Sequence, residues 1–276
     1  MDDSHPLAVL AERALRATPK GMRAHLTHVG TATVLIELPG LTLLTDPVLG
    51  GPCTCHFGFG MRSRHLRGPY VARASLPPID VALVSHDQHE DNLDVEGRAV
   101  LRGAREVITT RAAAGRLGRP AIGLADFETH VVRGEGLEVR VTATPARHGP
   151  PLSLPFVGPV IGFLLEWEGQ SHGALYVSGD TVYFGGIEEI ARRHRVGTAL
   201  LHLGRAGYLG AAFTMDAAAG ARAAKTLGAR TVVPIHYDDW THFTEAHTRI
   251  EPAFAAAGLA DRLRRLPKGE RVAIEL

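Results

Sequence analysis

Apolar residues in this chain gather into short runs, and most runs stop at a glycine, a proline or a charged residue. Such runs, bounded by turn residues, read as strands. Residues 25–29, Thr33–Leu38 and Leu41–Thr45 are the first three, with Pro39-Gly40 as the turn between the second and third and Asp46-Pro47 closing the third. Val81-Ala82-Leu83-Val84, Glu106–Thr110, residues 138–143, 161–167, 174–178, 198–203, Thr231–Ile235 and 271–276 follow. Helices are expected over residues 6–15, Arg111–Leu117, 187–194, 215–227 and 243–257. Thr214 is placed to cap the helix over 215–227, and Gly228 to end it. Hairpins come first and β/α alternation afterwards, which suits an α/β chain of two sheets between helices. No linker or charge block divides it, so residues 1–276 are read as one domain. Residues 50–74 are long and irregular, and loops of that length are functional lids or disordered. Phe57, Phe59 and Met61 within them are expected as a small apolar lip.

The densest chemistry follows Val81–Leu83. The strand ends at Ser85 and opens into His86, Asp87, His89, Glu90, Asp91 and Asn92. Metal ligands converge on a point about 2 Å away, so a tight loop at a strand end is a good place for several of them. A polar turn with two surface histidines is the bland alternative. Three further strands argue against it. Thr144-Pro145-Ala146-Arg147-His148-Gly149, Tyr176-Val177-Ser178-Gly179-Asp180-Thr181 and Pro234-Ile235-His236 each put a histidine or aspartate at or just past a strand's carboxyl end. That is where α/β folds place their sites.

The 276 residues are 45% hydrophobic and 21% charged with a net charge of +1, an ordinary globular balance that offers no nucleic-acid footprint. The local exception, Arg62-Ser63-Arg64-His65-Leu66-Arg67, reads as a solvated loop or as a face for an anionic substrate. No run approaches the ~20 apolar residues that span a bilayer. The first twenty residues carry Asp2, Asp3 and Glu12 and lack a signal-peptide core. The expectation is a soluble, cytoplasmic protein with a small-molecule substrate and no stable membrane association; a homo-oligomer stays open. Cys53, Cys55 and His56 read as a plain loop rather than a metal cluster, because no distant partner is evident.

With these residues in view, the chain resembles the metallo-β-lactamase-fold superfamily of metal-dependent hydrolases. The branch it looks closest to holds the ascorbate-6-phosphate lactonase and the N-acylphosphatidylethanolamine phospholipase D. The segments HVGTATVLIEL, LLTDP, FGFGMRSR, LPPIDVALVSHDQHEDNLD, TPARHG, YVSGDT and VPIHYDDWTHF carry the resemblance over roughly residues 25–245. It implies a four-layer αββα sandwich. The family motif is His-x-His-x-Asp-His followed by Leu-Asp. With Gln88 taken as an insertion, His86 and His89 match its first two histidines, Asp91 its aspartate and Leu93-Asp94 its tail, while Asn92 stands at its last histidine. Thr31 is a second departure, at a place where the phospholipase-like branch often has histidine.

On that frame the resemblance implies two divalent cations, zinc or manganese. His86, His89 and His148 would hold the first, and Asp91, Asp180 and His236 the second, with Asp180 bridging. Asn92 would be a weak ligand, since an amide oxygen suits harder cations better than zinc. Asp46 matches a carboxylate that orients a metal-bound histidine; a turn-forming Asp-Pro is its other reading. Two cations sharing a water would give a hydroxide nucleophile near neutral pH, with Asp91 as the catalytic carboxylate. Arg205, Tyr183, Trp240 and His242 are expected to touch substrate. His28 and His202 lie in strands and are expected to satisfy local hydrogen bonds. The function so implied is a metal-dependent hydrolase of a phosphodiester or of a lactone or other ester. The alternative is a non-catalytic metal- or ligand-binding protein on the same fold.

Overall fold

The computed structural model describes residues 23–56 and 60–276. The helix expected over residues 6–15, and Phe57 and Phe59, lie outside them. In chain order the elements are β1 (Arg23–Gly30), β2 (Thr33–Leu38), β3 (Leu41–Thr45), β4 (Cys53–His56), β5 (Arg62–His65), β6 (Val81–Leu83), α1 (Val95–Leu101), β7 (Glu106–Thr110), α2 (Arg111–Leu117), β8 (Ala121–Leu124), β9 (Thr129–Gly134) and β10 (Leu137–Pro145). There follow α3 (Leu154–Val157), β11 (Ile161–Glu166), β12 (Ala174–Val177), α4 (Gly185–Arg193), β13 (Val196–His202), β14 (Gly207–Tyr208), β15 (Ala211–Ala212), α5 (Ala217–Leu227), β16 (Thr231–Ile235), α6 (Ile250–Ala256) and β17 (Arg271–Glu275).

Two sheets pack face to face. One runs β17-β1-β2-β3-β6-β7-β8 and the other β16-β13-β12-β11-β10-β9. The central strands β2, β3, β6, β11, β12, β13 and β16 are buried almost throughout, because both of their faces are covered, whereas the edge strands β9 and β17 and the start of β10 alternate buried and exposed positions. Val34 and Ile36 of β2, Val81 and Leu83 of β6, and Phe163 and Leu165 of β11 point into the core between the sheets. Their neighbours point the other way. Leu164, Tyr176, Ala199 and Leu201 pack against Ile187 and Ile190 of α4, Ala221 and Ala224 of α5 and Phe254 of α6. Leu35, Leu44, Ala82 and Val84 pack toward Leu101 of α1 and Leu117 of α2. The layers are therefore helix, sheet, sheet, helix, the αββα sandwich.

Three local expectations need correcting. Residues 50–74 are not wholly irregular, since β4 and β5 pair as an antiparallel hairpin. The helix expected over 243–257 narrows to α6 with a 3₁₀ turn, His247–Arg249, leading into it, because Pro252 has no N–H for an earlier turn's carbonyl. The cap of α5 is Asp216, which accepts from the Ala219 N–H, while the Thr214 hydroxyl accepts from the Ala206 N–H and donates to the Leu203 carbonyl. No helix among the described residues is long and apolar enough to cross a membrane.

β3, β6, β7 and β8 run parallel, as do β12, β13 and β16. Their carboxyl ends lie at one rim of the sandwich. Backbone strain gathers there. His236, Asp46, Thr31 and Arg205 all have positive φ, at 58°, 30°, 44° and 49°. Non-glycine residues adopt such angles only where the surroundings over-determine them, which is typical of functional sites.

Candidate metal centre

The loop after β6 is anchored at several points. The Ser85 N–H donates to Asp46 Oδ1 at 2.7 Å. Asp87 is ion-paired with Arg116 of α2, and its carbonyl accepts from Arg98 of α1. Asp94 caps α1 through the Gly97 N–H and also accepts from the Leu49 and Gly50 N–H groups. Gln88 is exposed, and its side chain lies over Gly158, outside the histidine cluster. Gln88 thus points outward, and His86 and His89 converge.

His86, His89 and His148 place their ligand atoms within 4.8 Å of one another. His86 Nε2 and His148 Nε2 each lie 3.1 Å from His89 Nδ1. Two donors bound tetrahedrally at 2.0–2.1 Å sit about 3.4 Å apart, so the spacing suits one cation. The other ring nitrogen is held at two of the three. His86 Nδ1 is 3.0 Å from Ser85 Oγ, and His148 Nδ1 is 2.9 Å from the Phe213 carbonyl. An Nδ1–H donated to that carbonyl leaves the His148 Nε2 lone pair facing the cluster.

A second set adjoins the first through Asp180. Its Oδ2 is 3.9 Å from His148 Nε2, and its Oδ1 is 3.5 Å from His236 Nε2. One carboxylate therefore faces both sets. Asp91 Oδ2 is 3.4 Å from His236 Nε2 and 3.1 Å from His242 Nε2. His202, expected only to satisfy a local hydrogen bond, makes one to Asp180 Oδ1 at 2.9 Å and groups with Asp180 and His236 as a set able to hold metal. Sequence offered one overlooked signal: His202 also ends an apolar strand, β13.

Asp91, Asp180, His202 and His236 are all buried. Burial alone would raise the Asp91 and Asp180 carboxyls, but the neighbouring imidazoles outweigh it and hold both below the usual range. Burial alone would lower His236, but Asp180 and Asp91 hold it up at about 9. At the first set burial, with the neighbouring imidazole, holds His86 well below the usual histidine range and His89 at about 4, which keeps both neutral, whereas His236 carries a proton that a cation bound there would displace. Asp180 Oδ2 and Asp91 Oδ1 are buried without a hydrogen-bond partner, and His236 Nε2 makes no hydrogen bond. Orphaned buried acceptors of this kind cost ~1–3 kcal/mol each unless something satisfies them. The donor set, nitrogen and carboxylate oxygen, is the chemistry of zinc and similar cations. The residues present fit divalent metal.

Other expected site residues lie nearby with different duties. Asp46 is fully buried, holds the Ser85 N–H, and reaches 4.0 Å from His202 Nε2; it orients His86 only through Ser85. Asn92 is fully buried, with Nδ2 3.4 Å from Ser85 Oγ and Oδ1 unsatisfied. His242 lines the cavity over the site, with Nδ1 2.6 Å from Ser63 Oγ. Three side chains expected to touch substrate are turned elsewhere. The Tyr183 hydroxyl bonds Glu188 and Thr226, the Arg205 guanidinium donates to Thr244 and the Gly210 carbonyl, and the Trp240 indole donates to Thr31. None of the three lines the cavity. Cys53 and Cys55 do find a distant neighbour, since Glu90 brings its carboxylate within 4.8 Å of both sulfurs.

The cavity, about 350 Å³, opens over His89, Asp91, His148 and His242. Its walls include Met61, Leu152, Phe156, Val157, Tyr208 and Phe213, and no lysine or arginine is among its described lining. Leu152, Leu154, Phe156 and Leu209 are strongly exposed and supply apolar surface beyond Met61.

Residues 42–237 match the family model of a beta-lactamase superfamily domain. A metal-dependent hydrolase of Pelotomaculum thermopropionicum is 29% identical over 207 residues, covering 71% of this chain and 84% of its own. One from Caldivirga maquilingensis is 26% identical over 230 residues, covering 78% and 82%. Among solved structures, an isothiocyanate hydrolase from Delia radicum gut bacteria superposes with a TM-score of 0.75 at 20% identity, covering 91% of this chain and 99% of that one. A metallo hydrolase from Ignicoccus hospitalis gives 0.70 at 22% identity, covering 92% and 99%.

Proposed function

The chain belongs to the beta-lactamase superfamily, and we propose that it is a metal-dependent hydrolase acting on a small, uncharged, largely apolar ester or lactone. The observation that carries this reading is the convergence of two ligand sets on Asp180 beneath an apolar cavity. His86, His89, His148 and Asp180 would hold one cation, and Asp91, Asp180 and His236 a second. Bound there, the cations supply Lewis acidity and make water acidic enough to react near neutral pH.

The remaining work falls to the chain. Phe213 and Ser85 fix the rings of His148 and His86. Asp91 faces the cavity, held anionic by His236 and His242, and its unpartnered Oδ1 accepts a hydrogen bond from the attacking water and orients it. Met61, Phe156, Val157 and Phe213 exclude bulk water from the reacting carbonyl and hold an apolar acyl or ring portion. Of the two substrate classes that the sequence suggests, the cavity favours the lactone or ester. A phosphodiester keeps its negative charge, and Arg62, Arg64 and Arg205 are absent from the lining.

Turnover of aryl esters and simple lactones beside bis(p-nitrophenyl) phosphate, with zinc- or manganese-loaded protein, tests this. The ester or lactone should lead in kcat/KM by at least about tenfold, and a chelator should abolish turnover. Preference for the phosphodiester would overturn the substrate class. Turnover indifferent to chelation, or none on any of them, would overturn the metal-hydrolase reading.

A further inference from the structure

We infer that His242, carried on the loop after β16, is a ligand of the second cation and supplies an imidazole that the Asp91-Glu90-Asn92 neighbourhood lacks. The inference rests on the metal-dependent reading above and assigns a residue to it. The first ligand set has three imidazoles. Asp91, Asp180 and His236 bring one, because His202, grouped with Asp180 and His236, turns its Nδ1 to Asp180 Oδ1 at 2.9 Å and its Nε2 toward Asp46. Asn92 offers only an amide. His242 Nε2 lies 3.1 Å from Asp91 Oδ2, and the same oxygen is 3.4 Å from His236 Nε2. The 3.1 Å spacing repeats the nitrogen-to-nitrogen spacing of the triple-histidine set.

The far side of the ring is prepared in the same manner as at His86 and His148. His242 Nδ1 is 2.6 Å from Ser63 Oγ, which is itself 3.3 Å from Thr241 Oγ1. With Nδ1–H donating to Ser63 and the Ser63 hydroxyl donating to Thr241, the Nε2 lone pair faces Asp91 and the site. The ring is wedged between Trp240, at 5.7 Å, and Phe243, at 4.6 Å. Trp240 in turn stacks on His65 at 4.6 Å and 11°. Ser63 and His65 both belong to β5, so the β4–β5 hairpin serves to hold the 240–243 loop over the site. This gives the Arg62–His65 strand a duty other than meeting an anionic substrate.

The competing arrangement has the Nε2–H donating to Asp91, with His242 orienting that carboxylate and touching no metal. Metal content separates the two. Wild type, His242→Ala, His242→Gln, Ser63→Ala and Asn92→Ala are saturated with Zn²⁺, freed of excess and measured by elemental mass spectrometry, with circular dichroism and melting as folding controls. Cobalt loading adds a spectrum that reports the loss of a nitrogen donor. The expected result is two cations per wild-type chain and one in His242→Ala, with Asn92→Ala retaining both. Ser63→Ala should bind the second cation about 10–100-fold more weakly. If His242→Ala does not fold, His242→Gln and Ser63→Ala carry the decision. Undiminished loading and unchanged cobalt spectra in the folded His242 variants would overturn the inference. So would loss of the second cation from Asn92→Ala alone. A wild-type chain holding a single cation with turnover intact would overturn it and leave the hydrolase reading standing; a chain holding none would remove both.

Discussion

Asp180 can face two ligand sets because Gly179 lets the chain turn sharply out of β12. Gly179 has φ 60°, and a Cβ there would sit 2.5 Å from the Ile161 carbonyl oxygen. Gly179→Ala should therefore shift Asp180 without altering any ligand. Metal retention should fall, and kcat/KM should drop by about 10²-fold, the usual cost of a small misplacement; elemental analysis beside steady-state kinetics checks it, and unchanged values would show the turn to be tolerant. At this scale sequence revealed the residues that end apolar strands, which is why His86, His89, His148, Asp180 and His236 were legible together. It did not reveal side-chain direction. Tyr183, Arg205 and Trp240 sit in loops of the expected rim, but Arg205 has φ 49° and all three are tied to other partners. His202 ends a strand too, and its Nδ1 holds Asp180 Oδ1, on the carboxylate that faces both sets.

Among the elements, the long apolar strands were readable because burial on both faces leaves an unbroken hydrophobic run. The β4–β5 hairpin was not, since CTCH and RSRH carry neither an apolar run nor a clean alternation, and their pairing is a backbone matter. Pro252 and Glu245 account for the shortened α6. A proline cannot sit inside a longer helix, and Glu245 Oε2 accepts from the Ala217 N–H at the start of α5 instead of lying on a helix face. α1 illustrates how an element can position a site from behind. A Cβ on Gly97 would fall 1.8 Å from the Pro47 carbonyl oxygen, and the Gly97 N–H is the cap partner of Asp94. Gly97→Ala should push α1 off the 46–50 loop and cost about 1–3 kcal/mol or more. A lower denaturant midpoint, with weaker metal binding from the adjoining His86–Asp91 loop, is the expected outcome; an unchanged midpoint would mean that the backbone yields freely.

For the whole molecule, the two sheets and their helices bury His28 completely, and this gives stability a pH dependence. Burial, with help from Lys268, holds the His28 imidazole at about 4 against an ordinary 6.5. The unfolded chain therefore takes up the proton first as pH falls. The stabilisation is fully present above about pH 6.5 and is lost as pH drops toward 4. At fixed metal concentration the melting temperature should fall across that window, and His28→Gln should flatten part of the slope; a His28→Gln curve parallel to wild type would assign the loss to other groups. The αββα layering was legible from strand and helix order only in outline, because periodicity cannot say which strands neighbour one another. The resemblance of the His86–Asp94 segment and its distant partners gave the architecture that strand order alone left open.

On the proposed function, both ligand sets hold divalent metal through Asp180. Elemental mass spectrometry of the purified chain and of Asp180→Ala, each reconstituted with Zn²⁺ and Mn²⁺, tests it most directly. The expected result is stoichiometric metal in the wild type and a clear loss in the variant, whose folded state is verified by circular dichroism. A wild-type chain that takes up neither cation, or an Asp180→Ala chain that loads as fully as wild type, would contradict it.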